Sequence, residues 1–254
     1  MSRSSRYFYP AGFLLICVGV WEILCRVFNI PEYLLPAPSA VIRAILEVQS
    51  QLLHHMLVTD YEALLGYAIG ISIGIVLAFA FELSRKVELS VSPYVVFLKI
   101  VPTTAIAPFL VIWFGNGIAS KVAAATIMTI FPVVVASTKG LQEIDGNMLN
   151  LFRSLGASRM QLLVKAKLPN AIPHIFTGLR IGIASAFAGA VIAEFIAANK
   201  GLGFLILTNF YYLKTSTMFA ALVCLMLNGI IFYGLVVLVE RTILSKFALR
   251  PKLR

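Results

Sequence analysis

Six stretches of this chain are long and apolar enough to cross a lipid bilayer, and they limit the possible folds more than any other feature. A helix needs about 20 apolar residues to cover about 30 Å of hydrocarbon. Inside that layer its backbone amides must find partners within the protein. The stretches run from Ala11 to Phe28, Tyr61 to Phe81, Tyr94 to Phe114, Ser120 to Ser137, Thr177 to Ala198 and Thr217 to Val239. They predict an all-α integral membrane protein with six transmembrane helices, residues 1–254 forming one domain. Only 13% of residues are charged and 60% are hydrophobic, where soluble domains run near 25% charged. That excludes a disordered chain, a coiled coil and an ordinary soluble enzyme. The first and third stretches are the least regular. Glu22 and Arg26 lie near the end of the first, spaced to pair across one helical turn, and Lys99, Pro102 and Pro108 interrupt the third.

Charge sets a direction. The formal net charge is +10. With the N-terminus in the cytoplasm, the inner segments carry fifteen Lys and Arg and the outer ones five: Arg26, Arg43, Lys121, Lys200 and Lys214. This is the positive-inside pattern, and six spans return both termini to the cytoplasm. No small-residue cleavage pattern follows the first apolar run, so it is expected to stay as an uncleaved membrane helix. Cys17, Cys25 and Cys224 have no CxxC spacing and are read as small hydrophobic side chains. No P-loop, HExxH or GxSxG sequence occurs, and His54, His55 and His174 have no partners at metal-ligand spacing. The chain is therefore expected to be no enzyme, to hold no metal or cofactor and to bind no nucleic acid.

Two segments outside the spans are apolar and short. PSAVIRAILEVQSQLL, residues 38–53, reads as an interfacial helix that Ser39 is placed to cap, and GLGFLILTNFYYL, residues 201–213, reads as a re-entrant or interfacial piece. Within the spans, Gly66, Gly70, Gly74 and Ala78 form one small-residue stripe, and Gly178, Gly182, Ala186 and Ala190 form another, with Glu194 next in line. Such stripes let helix backbones approach closely, and packing inside one bundle is the favoured reading over a subunit contact. Charges within spans are costly and often functional. On that ground Glu194 and Lys99, with Pro102, Thr103 and Thr104 beside the proline, are the candidate lining of a path. Glu62 is read as an interface charge at the outer face.

The longest basic loop, residues 138–176, patterns as a helix, a Gly-Ala turn and a second short helix, with Ser158 at its N-cap position and Pro169 and Pro173 ending it. Met160, Leu162, Leu163 and Leu168 give the second helix an apolar ridge flanked by Arg159 and Lys165, which suits a groove on a partner.

This loop resembles the "EAA" loop of bacterial ABC-importer permeases, whose pattern is EAA, three residues, Gly, nine residues and I-x-L-P. Gly156 is the glycine and Leu168-Pro169 the closing pair; Asn150, Leu151 and Phe152 stand at the EAA positions, and Ala166 at that of the Ile. LLPAPSAV at 34–41, VPTTAIAPFLVIWFGNG at 101–117 and AEFIAANKGLGFLI at 193–206 are similar to segments of the nitrate/sulfonate/taurine branch, which includes permeases for thiamine-pyrimidine precursors and riboflavin. EALLGYAIG at 62–70 looks closer to the precursor importers. The resemblance implies a type I ABC-importer permease in the bacterial inner membrane, forming a path for a small organic or inorganic anion or for such a precursor. It implies that residues 150–152, Gly156, Ala157, Ser158, Arg159, Met160, Leu162, Leu163, Leu168 and Pro169 form the ATPase-coupling site. It also implies partners: two ATPase subunits carrying ATP and Mg, and a periplasmic or lipid-anchored solute-binding protein. A second copy of the chain is expected because one six-helix unit lacks the other half of a path. The residues themselves leave open a stand-alone secondary transporter or channel.

Overall fold

The structure, a computed structural model, describes residues 5–246. Arg3, Arg250, Lys252 and Arg254, counted above in the charge bias, lie outside the described residues. Over that range regular structure is entirely helical. The long elements are α1 (Ser5–Val27), α3 (Gln49–Leu83), α6 (Ile118–Gln142), α9 (Leu168–Ile196) and α11 (Thr215–Lys246). Shorter ones are α2 (Pro38–Glu47), α4 (Arg85–Ile100), α5 (Thr103–Phe114), α7 (Gly146–Ser154), α8 (Arg159–Leu162) and α10 (Leu202–Tyr211).

The bundle is built around α6, which packs between α3 and α9. The glycine stripes explain the fit. A Cβ on Gly66 would lie 2.8 Å from the Val122 carbonyl oxygen, one on Gly70 2.5 Å from Thr129 Cβ, and one on Gly74 2.7 Å from Val133 Cγ1. Gly178 meets Pro132 and Ala136 of the same helix. Both stripes therefore serve close packing within this chain. Thr126 Oγ1 donates to Val122 O at 2.8 Å and approaches Gly66 O at 3.2 Å, adding a polar tie across the α3–α6 contact.

The third stretch is not a straight span. It breaks at Val101–Pro102 into α4 and α5, bent by 102°. Pro102 lacks an N–H to continue α4, and its ring pushes Val101 into extended backbone, φ −69° and ψ 124°. The expected break at Pro169 and Pro173 does not occur; residues from Arg159 to Ile196 form one helical run, with a π-helical turn at Leu163–Lys167. Pro169 directly follows the π turn, whose wider i→i+5 register, with Leu168 N donating to Leu163 O, interrupts the ordinary hydrogen-bond ladder where the proline has no N–H to give. Lys167 also pairs with Glu82 at 2.5 Å, fastening this run to the end of α3.

At the end of the bundle opposite the basic loop, the far end, α2, α10 and the first turns of α3 and α11 share one apolar cluster of Val41, Leu52, Leu202, Leu205, Ala220 and Ala221. The expected cap at Ser39 is not made. Helix α2 starts at Pro38 with Ala37 as its N-cap, and Ser39 Oγ donates instead to Glu22 Oε1 at 2.8 Å, tying α2 to α1. Glu22 also pairs with Arg26 at 2.6 Å, as their spacing predicts. Cys25 is buried, Cys224 partly so and Cys17 exposed on α1, so small-hydrophobe packing describes only the first two.

Candidate functional site

Four regions carry polar chemistry. The first is the basic loop. Asp145 caps α7 by accepting from Asn147 N at 3.0 Å, and α7 ends at a turn in which Gly156 takes φ +70°. Ser158 then opens α8 with a capping box: its Oγ accepts from Gln161 N at 3.2 Å, and the Gln161 side chain accepts from Ser158 N at 2.8 Å. Asn150, Leu151, Arg159 and Met160 are exposed, and Phe152, Ala157, Leu162, Leu168 and Pro169 partly so. Leu163, placed on the ridge by its spacing, instead points into the bundle against Ala78, Leu141 and Ala171. The π turn rotates it inward. The free apolar surface of the loop is Met148, Leu151, Leu155, Met160 and Val164. Sequence spacing missed Val164 because it assumed an undistorted helix, and Met148 and Leu155 because it confined the ridge to the second helix, whereas they lie on α7 and the turn that follows it.

The second region is the elbow between α4 and α5. Lys99, Pro102 and Thr104 are exposed there and Thr103 partly so; no hydrogen bond or ion pair among the described residues joins them to Glu194.

The third is a buried polar cluster at the far end, where the sequence placed Glu194 alone. Glu194 is 1% exposed and Glu62 3%, so Glu62 is no surface charge. Glu194 Oε1 accepts from Thr59 Oγ1 at 2.7 Å, and Oε2 accepts from Gly203 N at 2.5 Å, at the start of α10. Thr59 Oγ1 in turn accepts from Leu202 N at 2.8 Å, and His55 Nδ1 accepts from Gly201 N at 3.0 Å. The free amides of the first turn of α10 are thus satisfied by two residues of α3 and one of α9. Lys121 closes the other side, donating to Asn116 O at 2.8 Å, to Asn116 Oδ1 at 3.1 Å and to Ala197 O, which ties the α5–α6 turn to the end of α9. The Gly-Leu-Gly run fits this geometry. Gly201 holds φ +108°, and a Cβ there would fall on the Glu194 carboxyl. Gly201→Ala is expected to dislodge α10 and lower the midpoint of thermal unfolding in detergent by several degrees, with a Leu205→Cys reporter changing from protected to reactive. An unchanged midpoint would show that the cluster tolerates a methyl group.

Between α6, α9 and α11 lies an open groove of about 650 Å³. Its α9 wall presents Thr177, Arg180, Ala184, Ser185 and Ala188. Arg180 Nε pairs with Glu240 at 3.5 Å, and its guanidinium also donates to Thr177 Oγ1 at 3.2 Å, while the side chain stays 30% exposed. No group of three or more His, Cys, Asp or Glu among the described residues is arranged to hold a metal.

The family model described as "binding-protein-dependent transport system inner membrane component" matches residues 70–245. A probable ABC transporter permease protein of Haemophilus influenzae is 34% identical, over 86% of this chain and 91% of its own. The formylaminopyrimidine transport permease protein of Halalkalibacterium halodurans is 32% identical, over 96% of this chain and 98% of its own. A crystal structure of an amino acid ABC transporter aligns with a TM-score of 0.66 at 18% identity, covering 78% of this chain and 96% of that one, and so shares the fold.

Proposed function

The chain belongs to the binding-protein-dependent transport system inner membrane components, as a permease subunit of an ABC importer, and we propose that it works as one of two copies between a pair of ATPases and a solute-binding protein. The observation that carries the assembly is the loop at residues 146–164: two capped helices joined at Gly156, with an apolar ridge that none of the described residues covers. That ridge fits a groove on a soluble ATPase. Hydrolysis there moves the loop, and α8, continuous with α9 through the π turn, carries the motion into the bundle.

The path runs along the polar wall of α9. Hydrocarbon tolerates a guanidinium poorly, and Arg180, in the first turn of the fifth span, keeps 30% of its side chain exposed in the groove while paired with Glu240. The face bearing Arg180, Thr177 and Ser185 therefore belongs toward the second copy and the solute rather than toward lipid. Arg180 is charge-matched by Glu240, so this wall offers donors and an acceptor without net charge. That suits a neutral heterocycle with both donor and acceptor edges better than a small anion. Full-length similarity to a formylaminopyrimidine permease supports the same solute class.

The loop lies in the cytoplasm and the far end faces outward, in keeping with the charge bias. The test is co-expression with a candidate ATPase subunit from the same genome. The ATPase should purify with the permease, and a cysteine at Ser158 should escape an impermeant thiol reagent in intact cells while one at Asn199 reacts. Free passage of the ATPase, or labelling at Ser158, would sink the assembly. Calorimetry on the cognate binding protein, pyrimidine precursors against sulfonates, decides the solute.

A further inference from the structure

We propose that α10 closes the path at the far end, and that Glu62 is a positioning residue for its opening: the acceptor that Lys121 takes up when α10 leaves Glu194. The inference rests on the permease reading above.

Helix α10 is set off by a left-handed residue at each end. Gly201 before it holds φ +108° and Leu213 after it φ +55°. Among the described residues only one other non-glycine, Asn29, has positive φ. Leu213 ends the helix in a left-handed turn closed by Lys214 N donating to Asn209 O at 2.9 Å. Between these turns α10 lies across the outer ends of α3, α9 and α11. Its first turn is held by the hydrogen bonds to Glu194, Thr59 and His55, and its underside by the cluster around Leu205. A short helix set off by a turn at each end and held at one polar anchor has the form of a closure.

The anchor contains a group that the closed arrangement does not use. Glu62 Oε2 is buried and has no donor among the described residues. The Glu194 carboxyl lies within hydrogen-bonding reach of Glu62, so one proton bridges the pair and only the Oε2 atom of Glu62 is left without a partner. A buried acceptor left without a donor costs on the order of 1–3 kcal/mol, more when charged, and such groups are rare in native interiors. Lys121 stands in the same cluster, yet its described hydrogen bonds go to the carbonyl oxygens of Asn116 and Ala197, and no carboxylate lies within ion-pair distance of it. Among the described residues the cluster thus holds two carboxyls bonded to each other and an ammonium that forms an ion pair with neither while α10 is seated.

Lifting α10 removes the Gly203 amide from Glu194, and the Leu202 amide from Thr59. Glu194 then needs a new donor. The Lys121 ammonium, on a flexible four-carbon stem, can exchange the Ala197 carbonyl for the two carboxyls. The open arrangement gains an ion pair that the closed one lacks, and the closed one gains the amide bonds of α10. These are the differential contacts that a two-state element requires. Lys121 also ties the α5–α6 turn to the end of α9, so its release loosens both helices together.

The experiment uses the permease–ATPase complex with Cys17, Cys25 and Cys224 replaced by serine and a reporter Leu205→Cys beneath α10, where the native side chain is 2% exposed. Ile206→Cys serves as a second reporter. Modification by an impermeant maleimide is timed with and without MgATP. Labelling should accelerate about tenfold with MgATP. Glu62→Met should abolish the acceleration while leaving the unfolding temperature of the resting complex equal or higher. Glu62→Gln, which keeps one acceptor oxygen, should restore part of it. Three results would overturn the proposal: flat labelling during normal ATP hydrolysis, a Glu62→Met complex that responds like its parent, or a Glu62→Met complex that melts earlier at rest. The last would make Glu62 a fixed prop for Glu194. Failure of the ATPase to bind would overturn the assembly reading and this proposal with it.

Discussion

Gly156→Val is expected to leave the protein folded in the membrane and to cut ATP-driven transport at least tenfold. No atom lies within 4 Å of a Cβ placed on Gly156, so the added side chain meets no steric obstacle. The whole effect comes from the backbone. At φ +70° a non-glycine residue is disfavoured by roughly 1–2 kcal/mol, and a β-branched one by more. The turn relaxes by rotating out of the left-handed region, which swings α7 away from α8 and spoils the surface shared by Leu151, Leu155 and Met160. Nothing in the membrane part depends on that turn, so the melting temperature should barely move. ATPase co-purification and the ratio of hydrolysis to uptake measure the result. Variant complexes that assemble and transport at the native rate would remove the loop from the coupling role.

The opposite pattern is expected for Gly66→Leu, where packing and not a turn is at stake. A Cβ alone would overlap Ala125 and come within 2.8 Å of the Val122 carbonyl oxygen and 3.1 Å of Thr126 N. Two of these three neighbours are backbone atoms of α6, which cannot rotate aside. Helices α3 and α6 must separate, and the Thr126 contact with Gly66 O is lost with them. Overpacking of a core commonly costs about 1–3 kcal/mol when side chains can adjust; here the helices themselves move, so the cost exceeds that range. The variant should fail to give a monodisperse peak in detergent, while Gly12→Leu on α1, with open space around it, should behave as the parent. A well-folded Gly66→Leu protein would show that the α3–α6 contact is looser than these distances require.

Much of this protein was legible in the order of its residues because hydrocarbon imposes length and polarity so strictly. Each apolar run coincides with a long helix or with the bent pair, but the lengths differ: α3 begins at Gln49 against a run from Tyr61, and α1 at Ser5 against Ala11. Among the described residues four helices, or five spans with the bent pair, have the length and apolarity to cross a membrane. The glycine stripes gave the close contacts on α6, since only residues without bulk permit them. The Gly156 turn and the Ser158 cap were readable because both are local: the first needs a free φ, the second an oxygen within three residues of an amide. Membership in the permease family followed from the same ordered segments.

What the sequence left undecided involves residues far apart in the chain. Glu62 reads as a surface charge because it begins an apolar run, yet α6, α9 and α10 close over it. Glu194 reads as a lone charge in a span, and only the fold brings Thr59, 135 residues earlier, within hydrogen-bonding reach of it. The 102° elbow and the unbroken passage through Pro169 and Pro173 came from tertiary context too: one proline ends a helix and two others do not. The physical reason is common to all three. Burial and backbone register set what a polar group or a proline costs, and both depend on which distant helices pack against it. The apolar pattern specifies that helices form and cross the membrane; their packing decides which of the few polar groups are anchors, which are free, and which wait for a partner.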